Sequence, residues 1–212
     1  MELSLRLETL LGALGSAEIF ADVGCDHGYV AAEMLARDKC RFAYLTDISA
    51  KSLKKAEEYL SGRFPGRFLA LATDGLQGVP RADEVLVAGM GGEEIVSILS
   101  SSPFLPERIV LQPMKNSEKV RSFLLRSGYA PTADYTFYDG KYYDLISAEK
   151  GECVYTADEI AFGRDNLREK GDAFLRMIGT RRAVLLEALP RMKKEEREKA
   201  EKRIGKYDEV LG

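Results

Sequence analysis

The chain has 212 residues, 45% of them hydrophobic and 31% charged, with a formal net charge of −3. This composition is typical of a soluble globular protein with one well-packed core and room for an appendage. No apolar run approaches the roughly 20 residues that span a bilayer, and no basic and then apolar leader opens the sequence. We therefore expect a cytoplasmic protein without membrane contact.

Strands and helices alternate over the first 128 residues. Leucines at near-helical spacing predict an amphipathic helix of about three turns that Gly15 ends. Apolar runs predict five strands, with helices between them, at residues 18–23, 41–48, 67–72, 83–90 and 107–113. We interpret the pattern as five βα units in succession, which form a mainly parallel, doubly wound sheet with helices on both faces.

The remaining chain changes character twice. The aromatic-rich segment 132–150 predicts a hairpin around Asp139-Gly140, a dipeptide typical of tight turns. From about Thr156 the sequence predicts two or three helices, and Pro190 interrupts their pattern. Their apolar face is predicted at Phe174, Met177, Ile178, Val184, Leu185, Ala188 and Leu189. We divide the chain into a domain at 1–152 and a helical, coiled-coil-like region at 153–212.

Charge and cysteine content narrow the class of partner. Residues 163–206 hold 14 Lys and Arg against 8 Asp and Glu, a net charge of +6. Such a segment suits an RNA backbone, although a solvated helical face is the simpler interpretation. The three cysteines form no CxxC pair, so we expect free thiols and no metal site.

Acidic residues stand at the ends of the first three predicted strands. Asp47, 23 residues after Gly24, is placed to accept hydrogen bonds from ribose hydroxyls, and Asp74 to accept one from an adenine amine. Asp22 can orient the adjacent turn or bind an ammonium group. Asp47 as a helix-start charge and Asp74 as a turn residue are the simpler alternatives. Without GxGxxG or a Walker motif, the set favours an adenosyl ligand.

The succession of βα units with a final hairpin resembles the seven-stranded sheet of class I S-adenosylmethionine-dependent methyltransferases. This Rossmann-like resemblance implies S-adenosyl-L-methionine as the cofactor. The residues that we assign to the cofactor are Asp22, Gly24, Cys25, Gly28, Asp47, Ile48, Thr73, Asp74, Gly75, Ala88, Gly89 and Met90.

Three motifs resemble those of the TrmK family of bacterial tRNA methyltransferases. They are DVGCDHGY at 22–29, AGMGG at 88–92 and LQP at 111–113. The resemblance implies methylation of N1 of adenine 22 in the tRNA D-arm. Three positions depart from it, because Cys25 and Gly28 replace the usual serine and alanine, and Met114 replaces the usual asparagine.

Methylation of adenine N1 needs positioning rather than deprotonation, because this nitrogen carries an available lone pair. We predict that Asp26 and His27 are catalytic, with Asp26 stabilising the positive charge that develops on the base. A structural role at the start of a helix is the alternative for both. Predicted tRNA contacts are Tyr29, Gly91, Gly92, Gln112, Pro113, Arg164, Arg168, Arg181 and Arg182.

Other functions remain open at the level of sequence. The protein can be a methyltransferase for another RNA adenine, a protein or a small molecule. It can also be a non-catalytic adenosyl- or RNA-binding module, or a dehydrogenase whose Asp47 binds NAD. We expect a monomer or weak dimer.

Overall fold

One sheet of seven strands organises the computed structural model, which describes residues 3–212. The strands are β1 (Ala17–Val23), β2 (Cys40–Asp47), β3 (Phe68–Ala72), β4 (Glu84–Met90), β5 (Arg108–Pro113), β6 (Tyr129–Asp139) and β7 (Lys141–Lys150). Their order in the sheet is β3-β2-β1-β4-β5-β7-β6. The first five strands are parallel, whereas β7 runs antiparallel to both β5 and β6. The predicted fold class is confirmed.

Nine α-helices precede, connect or follow these strands within residues 3–212. They are α1 (Leu5–Ala13), α2 (Tyr29–Ala36), α3 (Ala50–Ser61), α4 (Gly92–Ser100), α5 (Ser117–Arg126), α6 (Ala157–Phe162), α7 (Arg164–Glu169), α8 (Asp172–Ala188) and α9 (Lys194–Leu211). Over the same range, none of them has the length and apolar character needed to cross a membrane.

The prediction of five βα units is wrong by one unit. No helix lies between β3 and β4, and residues 73–83 connect them as an irregular loop. Gly75 and Gly78 adopt positive φ in this loop and Pro80 follows, so the backbone cannot continue as a helix. The loop therefore leaves the carboxyl end of β3 open.

The two faces of the sheet carry separate hydrophobic clusters. Neighbouring residues of one strand point to opposite faces, so Phe20 joins the cluster under α1, α2 and α3 while Ala21 joins the cluster under α4 and α5. In β4, Leu86 belongs to the first cluster and Val85 and Val87 to the second. Burial of both faces explains why the parallel strands are nearly continuous apolar runs.

The C-terminal region contains four α-helices rather than the two or three predicted. Thr156 begins α6 with a reciprocal capping box to Glu159, and a 3-10 turn at Leu189–Arg191 contains Pro190. Phe174 is buried as predicted, but Val184 is exposed, so the apolar face is narrower than the sequence pattern indicates. A third hydrophobic cluster joins α6, α8 and α9.

Side chains of α7 attach this region to the edge of the sheet. Asp165 Oδ2 accepts the backbone N–H of Asp134 at 2.8 Å, and Asn166 Oδ1 accepts that of Thr136 at 2.8 Å. Buried Arg121 of α5 donates from Nε to Asp134 at 2.9 Å. The first C-terminal helices therefore pack on β6, and the domain boundary at residues 152 and 153 stays a prediction.

Candidate active site

A cavity of about 330 Å³ lies at the carboxyl ends of β1 to β4. Parallel strands bring their carboxyl ends to one edge of the sheet, which is where such folds bind ligands. Nine residues assigned to the cofactor line this cavity together: Gly24, Asp47, Ile48, Thr73, Asp74, Gly75, Ala88, Gly89 and Met90.

The turn after β1 lines the first cavity and requires a glycine. Thr46 O accepts the N–H groups of Gly24 and Cys25 at 2.8 and 3.1 Å, which holds this turn against β2. Gly24 has a φ of +70°, and a Cβ on it would lie 2.2 Å from Cε of Met90. Only glycine combines this backbone conformation with the space that the methionine occupies.

Asp47 is oriented by two backbone groups. Its Oδ1 accepts the N–H of Ser49 at 2.7 Å, and its Oδ2 accepts that of Asp26 at 3.3 Å. Asp74 lies exposed across the cavity, and the side chain of Ile48 is 78% exposed in the cavity wall. An exposed isoleucine beside two carboxylates suits a flat heterocycle with polar edges.

A second cavity of about 100 Å³ adjoins the first and contains Asp22 and Cys25. Burial raises the pKa of Asp22 to about 7; a hydrogen bond from the Ala31 backbone opposes this effect, and the charge of Asp47 adds to it. Burial also raises the pKa of the Cys25 thiol, which stays protonated. A buried carboxyl with such a pKa gains most from a cationic ligand group.

The two predicted catalytic residues stand at the rims of these cavities. Asp26 lines both cavities, has a left-handed φ of 48° and exposes 70% of its side chain. His27 lines the second cavity, lies 3.7 Å from Asp26 Oδ2 and stacks on Tyr29 with 5.3 Å between ring centroids. This group offers a carboxylate and two stacked rings to a ligand outside the cavities.

Arg6 is a site residue that the sequence analysis missed. It lines both cavities, and its Nη2 would lie 3.0 Å from a Cβ at Gly89. Its Nε donates to Oε1 of Gln112 at 2.8 Å, and its guanidinium lies 5.4 Å from the Tyr143 ring centroid. The only sequence signal is a cation within an otherwise leucine-rich helix, because its partners are more than 100 residues away.

Two of the glycines that we assigned to ligands are closely packed against other parts of the protein. A Cβ at Gly28 would lie 2.9 Å from Leu45, between α2 and α3, and this glycine lines neither cavity. Gly92 is buried where a Cβ would lie 2.3 Å from the Asn116 carbonyl oxygen. Packing against neighbouring protein atoms is therefore sufficient to explain the glycine at both positions, and their contact with a ligand stays a prediction.

The predicted contact at LQP is indirect. Gln112 is fully buried and reaches the site only through Arg6, and buried Pro113 ends β5. Gly91 lies beside the Lys115 side chain, because a Cβ on Gly91 would be 3.1 Å from Cε of Lys115. Gln112 therefore acts on the site through Arg6, and substrate contact by Gly91 and Pro113 stays a prediction.

The four arginines assigned to tRNA differ in their partners. Arg164 bonds Asp165 at 2.9 Å and the Pro131 carbonyl at 3.0 Å, and Arg168 also reaches Asp165. Further acidic partners are Glu169 for Arg168 and Asp208 for Arg182. Arg181 lines a cleft beside the β5–α5 loop. Across residues 3–212, no cluster of three or more His, Cys, Asp or Glu side chains is arranged to hold a metal ion.

Comparison with known proteins decides the family. A family model described as "Methyltransferase domain" matches residues 3–146, which is more than half of the chain. The chain belongs to this methyltransferase-domain family. Its match spans the sheet strands that form both cavities, so the dehydrogenase alternative has no support from the family.

Individual relatives of this methyltransferase domain extend the comparison. A Bacillus subtilis tRNA (adenine(22)-N(1))-methyltransferase is 27% identical over 189 residues, 83% of this chain and 79% of its own length. The structure of M. capricolum TrmK with S-adenosylhomocysteine has a TM-score of 0.92 at 22% identity, covering 100% of this chain and 98% of its own. B. subtilis TrmK has a TM-score of 0.89 at 22% identity, covering 100% and 99%. The curated relative confirms the resemblance to the TrmK family, and the two structures establish the shared fold.

Proposed function

We propose that this methyltransferase transfers a methyl group from S-adenosyl-L-methionine to N1 of adenine 22 in the D-arm of tRNA. One observation carries the proposal: cavities with a carboxylate at the ends of β1, β2 and β3 open beside exposed Asp26 and the half-buried rings of His27 and Tyr29. The activity in the printed name of the B. subtilis relative supports this choice of substrate. We further propose a monomer or weak dimer acting in the cytoplasm.

The chain's own residues match the parts of the cofactor. Asp47, held by the Ser49 N–H, is placed to accept hydrogen bonds from ribose hydroxyls, and exposed Asp74 in the cavity wall is available to accept one from the adenine amine. Asp22 and Arg6 provide opposite charges in the second cavity, which suits the ammonium and carboxylate of the methionine end. Gly24 presents the backbone of the turn to the first cavity. When bound, S-adenosylmethionine supplies an electrophilic methyl group on a sulfonium.

The remaining residues orient the methyl acceptor. The N1 lone pair forms the new N–C bond as the S–C bond breaks, and the sulfur keeps the electron pair of that bond. No proton has to leave N1 first, so alignment and exclusion of water provide most of the catalysis. The stacked rings of His27 and Tyr29 offer a surface for a displaced base, and Asp26 lowers the energy of the cation that forms.

The direct test gives two RNA transcripts to the wild-type protein and to the Asp26→Asn variant. Purified protein is given radiolabelled S-adenosylmethionine and a tRNA transcript with adenine 22, or the same transcript with guanine 22. We expect N1-methyladenosine only in the first transcript, mapped by mass spectrometry. Methylation of both transcripts, or of neither, by the wild type would contradict the proposal, and product mapping would identify any other adenine.

Asp26→Asn tests the residue that we place beside the base. Asparagine tolerates the left-handed φ of 48° and keeps the size of the side chain but removes its charge. We expect turnover to fall about 100-fold with unchanged affinity for S-adenosylhomocysteine. Unchanged turnover by a folded variant would refute the assignment. A matching loss of cofactor affinity would instead place Asp26 with the cofactor.

A further inference from the structure

The β5–α5 loop at residues 113–116 has two sides. On one side, the N–H of Met114 donates to the Met90 carbonyl at 2.8 Å, and the N–H of Gly92 donates to the Lys115 carbonyl at 2.8 Å. These bonds attach the loop to the end of β4, which lines the cofactor cavity. On the other side, the loop borders a separate cleft of about 60 Å³ formed with α5, α6, α8 and α9.

Three cations from different elements converge on this cleft. Lys115 comes from the loop, Arg181 from α8 and Arg203 from α9. Within the described part of the chain, none of the three forms a salt bridge, whereas Arg182 on the same helix as Arg181 is paired with Asp208. Arg203 is held by its own neighbours, because its Nε donates to the Tyr207 hydroxyl at 3.1 Å.

Two acidic residues also border the cleft, and one of them is bound mainly by neighbours outside it. Both carboxylate oxygens of Asp144 accept hydroxyl groups at 2.6 Å, Oδ1 from Thr136 and Oδ2 from Ser117. Its Oδ2 also lies 3.9 Å from Nη2 of the buried Arg121. Glu118 in the first turn of α5 is the remaining carboxylate. The cleft thus presents three cations, unpaired among residues 3–212, against the two carboxylates of Asp144 and Glu118, because Arg121 is already bonded to Asp134.

We propose that this cleft binds a backbone phosphate of the RNA substrate through Arg181 and Arg203, with Lys115 contributing charge. Arginine suits this role because its planar donor fork matches phosphate oxygens. The inference rests on the proposed function and adds the place where the RNA backbone is held. One short loop then separates the phosphate from the methyl-transfer site.

The test compares the double variant Arg181→Ala/Arg203→Ala with Arg176→Ala. Arg176 is exposed on α8 and donates to the Asp172 carbonyl of its own helix, so its removal deletes charge without touching the cleft. Affinity for the methylatable tRNA is measured from 50 to 200 mM salt. We expect the double variant to bind roughly tenfold more weakly. A plot of log affinity against log salt has a negative slope. This slope should become shallower by about 0.9 for each phosphate that the variant no longer neutralises.

The possible outcomes separate the inference from the proposed function. Wild-type affinity and slope in the double variant, or an equal loss in Arg176→Ala, would overturn the cleft as a phosphate site. Failure of the wild-type protein to bind or methylate tRNA would overturn the proposed function instead. S-adenosylhomocysteine affinity should be unchanged in every variant. If the double variant unfolds, Arg181→Ala alone gives the same comparison, since this side chain is exposed.

Discussion

Without a ligand, the Asp22→Asn variant should be more stable than the wild type, and this difference in stability should grow as the pH rises. Asp22 is 5% exposed, and burial raises its pKa from an ordinary 3.8 to about 7. Between these two values the folded protein binds more protons at this site than the unfolded chain does. The wild-type stability therefore falls as pH rises through this window, and above pH 7 the full cost of a buried charge is present. Asparagine does not titrate and avoids that cost.

The size of the effect follows from the two pKa values of Asp22. Their difference, at 1.36 kcal/mol per pKa unit, corresponds to about 4 kcal/mol between acid and alkaline limits. About 2 to 3 kcal/mol of this change falls between pH 5 and pH 8. The variant should therefore gain stability over the wild type by that amount across this range.

The assay is urea unfolding of both proteins at pH 5, 6, 7 and 8 without cofactor. Asp38→Asn is the control, because this carboxyl is 85% exposed and asparagine accepts its left-handed backbone. It controls for the replacement of a carboxylate by an amide at an exposed position. Parallel stability curves for wild type and Asp22→Asn would refute the reasoning, because they would show that Asp22 does not titrate between pH 5 and 8.

Three further substitutions test other parts of the site. Gly92→Ala should destabilise the protein by about 1–3 kcal/mol, measured by urea unfolding, because its Cβ would lie 2.3 Å from the Asn116 carbonyl oxygen; unchanged stability would contradict that packing. Arg6→Met keeps the aliphatic stem and should weaken S-adenosylhomocysteine binding about tenfold by calorimetry, and equal affinity would remove Arg6 from the cofactor site. Asn166→Ala leaves the Thr136 N–H unpaired and should cost about 1–3 kcal/mol in urea unfolding; a loss below about 0.5 kcal/mol would show that water replaces it.

Local patterns were sufficient to predict the sheet and most of the residues that line the cavity at its edge. Each of the first two strands is an apolar run whose end is marked by glycine or aspartate, as in β1 with Gly24 and β2 with Asp47. Parallel strands bring those ends to one edge of the sheet. Their proximity can therefore be predicted without any knowledge of tertiary contacts. The dipeptide Asp139-Gly140 also predicted the hairpin. In the structure Gly140 has a φ of +72°, which glycine adopts readily.

What the sequence did not reveal depends on contacts between distant residues. The pattern of α1 shows which face is apolar, but not that Arg6 meets Gln112, 106 positions away. A glycine required by packing, such as Gly28, has the same sequence signature as one required by a ligand. Likewise, the count of basic residues does not show that Arg164 is committed to Asp165, its neighbour in sequence.

The attachment of α7 to β6 determines how the C-terminal region can be studied. β6 is the last strand of the sheet and is 11 residues long, and two of its outward N–H groups are covered by the side chains of Asp165 and Asn166. A chain shortened to residues 1–152 would expose that edge, and open edges pair with other copies of themselves. Such a truncation should aggregate. The role of the tail in RNA binding is therefore accessible through point substitutions that leave the edge covered.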